Sequence, residues 1–357
     1  MRDRVFGFAI VGCGVIAPTH ARSIAALPNA RLRVAVDAVG ERARQLASEF
    51  GAEPATDLRA VLDRRDVDVV CVCLPSGLHA EVGAQAAAAG KHVVVEKPID
   101  VSLDAADRLI AACRANGVKL TVISQHRFAP GVRRLREAAA AGRLGRLVLG
   151  DAVVKWYRGH QYFESAGWRG TWEMDGGGVL VNQAVHYVDL LRWVMGPVDR
   201  VFGRCATTSH RIAVEDVAVA ALAFRGGGLG MIEASTSAYP GFLERLEVTG
   251  TDGTVIVEDD EIAAWELRDE RGDVGPYGLR LPRASRGHSP EAHAERLVAG
   301  HRAQLGDLLE SVATGRDPAA TGENARSVLE IVLAVYRSAR EGREVRLPLA
   351  AEPPRVG

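Results

Sequence analysis

Val5-Phe6-Gly7-Phe8-Ala9-Ile10-Val11-Gly12-Cys13-Gly14-Val15-Ile16-Ala17 is the stretch that decides the fold. Its first seven residues are apolar or glycine and read as a buried strand, and Pro18 to Leu27 reads as a helix. The G-x-G-x-x-A between them stands in the setting that a dinucleotide requires. Gly12 permits the tight turn, Gly14 lets a pyrophosphate approach the backbone, and Ala17 allows close packing of helix on strand. Gly12, Gly14, Val15 and Ile16 are thus cofactor-binding candidates, with the amides of the helix N-terminus as phosphate donors. A second strand, Leu32 to Val36, ends in Asp37, 20 residues past Ala17. A carboxylate there accepts hydrogen bonds from ribose hydroxyls and repels a 2′-phosphate, which predicts NAD rather than NADP.

Strand and helix go on alternating outward from this motif. Val67 to Leu74 is an unbroken apolar strand, and Pro75-Ser76-Gly77-Leu78-His79 turns into a helix that ends near Gly90. His92 to Val95 is the next strand, closing in Glu96-Lys97-Pro98; Ser102 caps a helix, and Leu120 to Ile123 is a further strand. Continuous apolar runs mean strands buried on both faces, hence a parallel sheet with ligands at the carboxyl ends of its strands. Lys97 stands at such an end. Partial burial beside a nicotinamide would lower its pKa and let it exchange a proton with an alcohol.

In the second half, Leu147 to Tyr157 reads as a long strand, followed by a polar-aromatic loop from Tyr162 to Trp172. Gly176-Gly177-Gly178 then breaks the chain ahead of a helix running to Gly196-Pro197. Val181, Val185, Val188, Leu191 and Met195 form its buried stripe. Asn182 and His186 share another face near its N-terminal end. Segments Arg200 to Thr208, Val214 to Phe224, Leu229 to Ser237, Leu243 to Thr249 and Gly253 to Glu258 alternate as an antiparallel sheet does. Asp269 to Pro290 reads as an excursion near the substrate mouth, and two helices, Ala294 to Thr314 and Gly322 to Glu341, close the chain.

A length of 357 residues favours two domains, and 47% hydrophobic with 25% charged residues describes a globular α/β protein. A net charge of -1 leaves no footprint for nucleic acid or an anionic membrane. The chain has no apolar run long enough for a membrane span. Met1-Arg2-Asp3-Arg4 leads into the first strand too soon for a signal peptide. Five cysteines, with Cys71 and Cys73 alternating on a strand, read as reduced thiols in a cytoplasmic protein. His288, His293 and His301, at spacings of 5 and 8, match no usual ligand pattern, so no metal is predicted.

These motifs together resemble the Gfo/Idh/MocA family of NAD(P)-dependent sugar and cyclitol oxidoreductases. The resemblance rests on Gly12 to Ala17, the Pro75…His79 turn, Ala89 to Pro98, Gln125-His126-Arg127-Phe128 and Trp168 to Trp172. The glycine helix with His186, Val335 to Ala339 and Val345 to Leu349 add to it. It implies a Rossmann doubly wound parallel sheet over residues 1–125. Residues 126–357 would form an α+β domain with a large, mainly antiparallel open sheet, its C-terminal helices packing back on the first domain. That sheet would build a homodimer or homotetramer. The resemblance also puts Lys97 and His186 in the catalytic site, with Asn182, Arg169, Trp168 and Tyr157 towards substrate. Pro75, His79, Glu96 and Gln125 join the cofactor side. Two positions depart from the family: Ser76-Gly77 replaces the usual Asn, and Asn182 replaces a frequent Asp. The Asn-Gln…His form is more like members acting on sugar nucleotides, such as UDP-N-acetylglucosaminuronate 3-dehydrogenases. The expected reaction is hydride transfer between NAD and a secondary alcohol of a sugar, sugar nucleotide or cyclitol. The alternatives are an NAD-dependent glycoside hydrolase of the same fold and a non-catalytic NAD-dependent sensor.

Overall fold

The computed structural model describes residues 4–276, 278 and 290–350, with backbone alone over 290–293. His288 and the side chain of His293 lie outside the described residues, as does most of the expected excursion before Pro290. The chain divides into two compact units. One comprises Met1–Gln125, Glu173–Gly176 and Ala294–Ser327; the other comprises His126–Trp172, Gly177–His293 and Val328–Gly357. The division is therefore more than one cut after residue 125, because two later segments return to the first unit.

The first unit runs β1 (Phe6–Val11), α1 (Ala17–Ala25), β2 (Ala30–Val36), α2 (Gly40–Phe50), β3 (Glu53–Ala55) and α3 (Arg59–Leu62). It continues with β4 (Val69–Val72), α4 (His79–Ala88), β5 (His92–Val95), α5 (Leu103–Ala115) and β6 (Leu120–Val122). Its six strands are parallel, in the order β3-β2-β1-β4-β5-β6. Every residue of β1 and β4 is buried, as two-faced coverage by helices demands. The order reverses between β1 and β4, so Gly12 and Pro75, which follow those strands, flank the switch point where such sheets bind ligands. Leu305, Leu308 and Leu309 of the returning segment complete this unit's core with Phe8, Ile10 and Ile24.

The second unit contains α6 (Pro130–Ala140), β7 (Leu147–Lys155), α7 (His160–Glu164), α8 (Val185–Met195), β8 (Val198–Ala206) and β9 (Val217–Phe224). Then come β10 (Leu229–Ser235), β11 (Arg245–Gly250), β12 (Gly253–Glu258), β13 (Glu261–Leu267) and α9 (Arg268–Arg271). Two long helices, α10 (Pro290–Thr314), which from Ala294 belongs to the first unit, and α11 (Gly322–Glu341), which joins the second at Val328, precede the short β14 (Val345–Arg346). The eight-stranded sheet has the order β13-β12-β11-β7-β10-β9-β8-β14 and is antiparallel except where β7 pairs with β10. Its strands alternate buried and exposed residues, as a sheet covered on one face does. The buried face packs on α8 through Leu190, Leu191 and Val194. Among the described residues no helix is long and apolar enough to cross a membrane.

Candidate active site

In the first unit the glycine turn is shaped by two different constraints. Gly12 has φ +96, and a Cβ there would lie 2.4 Å from the Cys73 carbonyl oxygen, so only glycine can make the turn. Beside Gly14 a Cβ would meet nothing within 4 Å. The chain leaves that space open, as backbone contact with a pyrophosphate requires. Val15 is 89% exposed, an apolar side chain with no cover of its own. No side chain caps α1 and its first turn holds no acid, which leaves the helix N-terminus available to phosphate. Asp37 Oδ2 accepts the Cys13 N–H at 2.8 Å and Oδ1 accepts that of Val39 at 2.8 Å. The carboxylate thus ties the glycine turn to the end of β2, and each oxygen keeps a lone pair for a ribose hydroxyl. Burial, and then the charge of Asp37, push the Cys13 thiol up to about 12, so it is no nucleophile. These residues fit NAD.

Residues 93–103 are buried throughout except Lys97. The strand end therefore presents one amine from an otherwise enclosed run, and the peptide bond that follows it, Lys97-Pro98, is cis. Glu96 is directed inward: its Oε1 lies 2.7 Å from His20 Nε2, and its Oε2 accepts the Lys97 N–H at 3.2 Å. His301 Nε2 lies 3.5 Å from the same Oε1. This buried His20–Glu96–His301 trio assembles residues far apart in sequence, which no local spacing shows. His79 is also internal, with Nδ1 2.7 Å from the Pro98 carbonyl oxygen and Nε2 2.8 Å from that of Leu74. It joins the ends of two strands and so sets the Pro75 turn and the Lys97-Pro98 bend. Gln125 is buried as well. Gly77 explains one departure from the family: a Cβ there would lie 2.7 Å from the Glu173 carbonyl oxygen, and its N–H donates to Met174 O at 3.0 Å.

In the second unit the glycine segment leads into one π turn, Leu180–Ala184, before α8 begins. Of residues 175–191 only Asn182 and His186 escape burial, so this hydrophobic segment exposes one amide and one imidazole together. Glu215 holds the segment's start. Its Oε2 accepts from Gly178 N at 2.9 Å, and its Oε1 accepts from Leu180 N at 2.9 Å and the Tyr336 hydroxyl at 2.8 Å. Burial pushes this carboxyl up to about 7, against the hydrogen bonds that favour its charge. The glycines are compulsory here: a Cβ on Gly178 would meet the Glu215 carbonyl oxygen at 1.8 Å, and one on Gly177 would meet the Tyr336 hydroxyl at 2.1 Å. Sequence reading missed Glu215, a lone carboxylate with no pattern around it, and had Tyr336 only within the Val335 to Ala339 stretch, with no role.

Arg169 donates to the Tyr162 hydroxyl at 2.5 Å and lies 4.8 Å over the Trp168 ring. Tyr162 also accepts from Gln183 Nε2 at 3.2 Å, which ties this loop to the residue beside Asn182. Arg158, absent from the sequence reading, stacks on Trp156 at 4.5 Å and on Tyr162 at 5.4 Å. Burial, more than anything else, lowers its pKa, and Arg169 adds to the effect. Its carbonyl is held by His210 Nε2 at 2.8 Å, and that ring is in turn bound to Asp216 at 3.0 Å. Tyr157 is exposed and packs edge-on against Tyr239, 5.3 Å between ring centres.

Models of two families cover most of the chain. Residues 6–124 match the oxidoreductase family with the NAD-binding Rossmann fold, and residues 132–256 match the GFO/IDH/MocA C-terminal domain. A solved structure of the WlbA dehydrogenase from Bordetella pertussis, in complex with NADH and UDP-GlcNAcA, is 33% identical, with a TM-score of 0.84 over 97% of this chain and 100% of that one. The myo-inositol dehydrogenase Hyg17 of Streptomyces leeuwenhoekii is 30% identical, covering 94% of this chain and 97% of its own. The myo-inositol 2-dehydrogenase of Thermotoga maritima is 27% identical, with 95% and 97% covered.

Proposed function

The chain belongs to the GFO/IDH/MocA oxidoreductase family, and we propose that it oxidises a secondary alcohol on an anionic sugar, a UDP-linked hexosaminuronate at C3. It is an NAD-binding oxidoreductase of the sugar and cyclitol class. The observation that carries the choice of substrate is the arginine pair Arg158 and Arg169. Among the described residues neither has a carboxylate within ion-pairing distance, whereas Arg64, Arg127, Arg143, Arg245 and Arg316 all do. Two partly desolvated guanidinium groups on one tyrosine ring are costly until an anion meets them. A carboxylate or diphosphate suits their forked geometry.

NAD, when bound, supplies the hydride acceptor. Lys97 donates a hydrogen bond to the reacting hydroxyl and stabilises the charge that develops on its oxygen. His186 accepts the proton, and Asn182 holds a neighbouring hydroxyl, which an amide can do as donor or acceptor. Trp168 lines the substrate side beside Arg169. The enzyme works as a homo-oligomer through the open face of its second sheet. Support comes from Phe202, Val219, Leu229 and Met231, all exposed on that face, where register sets Phe202 and Met231 on either side of Ala221.

Absorbance at 340 nm tests the reading. Enzyme with NAD is mixed with UDP-N-acetylglucosaminuronate, myo-inositol and free hexoses. NADH forming with the UDP-uronate alone supports it, and NADH forming with myo-inositol while the UDP-uronate stays silent rejects it.

A further inference from the structure

We propose that His126, paired with Asp260, is a positioning residue for His186: its positive charge keeps the neighbouring ring a neutral imidazole, ready to accept the substrate proton. The proposal rests on the proton-accepting role given to His186 above. In that step the substrate O–H bond breaks and an N–H bond forms on His186, while the carbon-bound hydrogen leaves as hydride to the nicotinamide.

The geometry is local to the second unit. His126 lies in the 3₁₀ turn Gln125–Phe128, its side chain 11% exposed, with Nδ1 2.7 Å and 2.8 Å from the two carboxylate oxygens of Asp260. Its ring centre is 4.8 Å from that of His186, at a tilt of 59°. Asp260 sits in the turn between β12 and β13, where Asp259 (φ 48) and Asp260 (φ 69) both adopt the left-handed conformation that non-glycine residues avoid. Gly131 lets that turn in, since a Cβ there would lie 2.6 Å from the Asp260 carbonyl oxygen. A strained turn held against a glycine, delivering a carboxylate to a buried imidazole, is a built arrangement.

The charges around His126 favour its protonated form. Burial lowers the pKa of His126, but Asp260 by charge and hydrogen bond, with Glu244 and Asp259 behind it, carries it above the ordinary histidine value. From α8 the groups facing His126 are His186 and Tyr187, the latter 5.8 Å away between ring centres. Burial raises the Tyr187 phenol far above its usual value, so it stays neutral. On the same turn Arg127 is committed to Asp189. Two imidazoles this close resist a second positive charge, and the three carboxylates around His126 favour that ring as the one that carries it.

The test follows the titration of His186 in the full chain saturated with NAD, by NMR of ¹⁵N-labelled histidine. Alongside it runs the pH profile of kcat/KM for oxidation of UDP-N-acetylglucosaminuronate. In His126→Gln the His186 midpoint and the acidic limb of the profile should both move up by about one pH unit or more. Asp260→Asn should do the same, because burial then neutralises His126, and this variant serves if His126→Gln fails to fold. His126→Lys, which keeps the charge, should hold the midpoint at its wild-type position. An unmoved midpoint in both neutralising variants, or an equal rise in His126→Lys, overturns the proposal. If His186→Gln keeps wild-type turnover, the proton-accepting role of His186 fails instead, and the NMR midpoints still report the coupling of the two rings.

Discussion

Replacing Tyr336 with Phe should destabilise the second unit more at pH 8 than at pH 6, because its hydroxyl serves a buried carboxylate that titrates between them. Glu215 is fully buried, and its pKa rises from 4.5 to about 7. An acid whose pKa is raised by folding holds its proton more tightly in the folded chain. The stability it confers is thus greatest below pH 4.5 and declines by about 3 kcal/mol as pH climbs to about 7. At pH 8 the carboxylate is charged, and the 2.8 Å bond from Tyr336 is one of three that compensate it. Loss of a hydrogen bond to a buried charge costs about 2 kcal/mol, against about 1 kcal/mol when the acceptor is neutral. Thermal unfolding followed by circular dichroism should show a Tm lower by about 4–8 °C at pH 8 and by about half that at pH 6. Turnover should follow the same trend, since Glu215 anchors the start of the π turn that carries Asn182. An equal loss at both pH values, or a larger one at pH 6, refutes the assignment of charge to Glu215.

Lys97→Met should lower kcat by about 10²-fold or more while isothermal titration still shows NAD binding, because the loss is confined to proton handling and charge stabilisation. Arg158→Ala should raise KM for the UDP-uronate by about tenfold or more with little change in kcat, the mark of binding shared by ground and transition states. Asp37→Ala should weaken NAD by about tenfold and narrow its advantage over NADP in the same fluorescence titration, through lost ribose contacts and a glycine turn freed from Cys13 N. Met231→Glu, a charge placed on the exposed apolar face, should convert the proposed homo-oligomer to monomers in light scattering; an unchanged mass would reject that face as the interface.

Where physical constraints act between near neighbours, they were written in the chain. The burial of β1 and β4 on both faces makes unbroken apolar runs, and the turn at Gly12 tolerates no side chain, so strand, turn and helix were legible from Val5 to Leu27. The stripe from Val181 to Met195 likewise announced a buried helix, and all five of its members are buried. What escaped has little local signal. β3 and β14 are an edge pairing and a two-residue strand, too short for periodicity, and α2 buries only Ala43, Leu46 and Ala47 on an otherwise charged helix. Antiparallel order was legible from alternation, but the parallel pairing of β7 with β10 was not, because both patterns alternate alike.

The candidate site divides along the same line. Sequence by itself determined the candidates at a strand end or a helix start: Gly14, Asp37, Lys97, Asn182 and His186. Tertiary structure alone decided their environment. It enclosed Glu96 between His20 and His301, and it turned His79 to two backbone carbonyls. It also set Glu215 under the glycine segment and placed His126 between Asp260 and His186. Apart from the Leu74 carbonyl beside His79, those partners lie from 19 to more than 200 residues apart, and a hydrogen bond or a charge acts through distance in space, for which spacing along the chain carries no code.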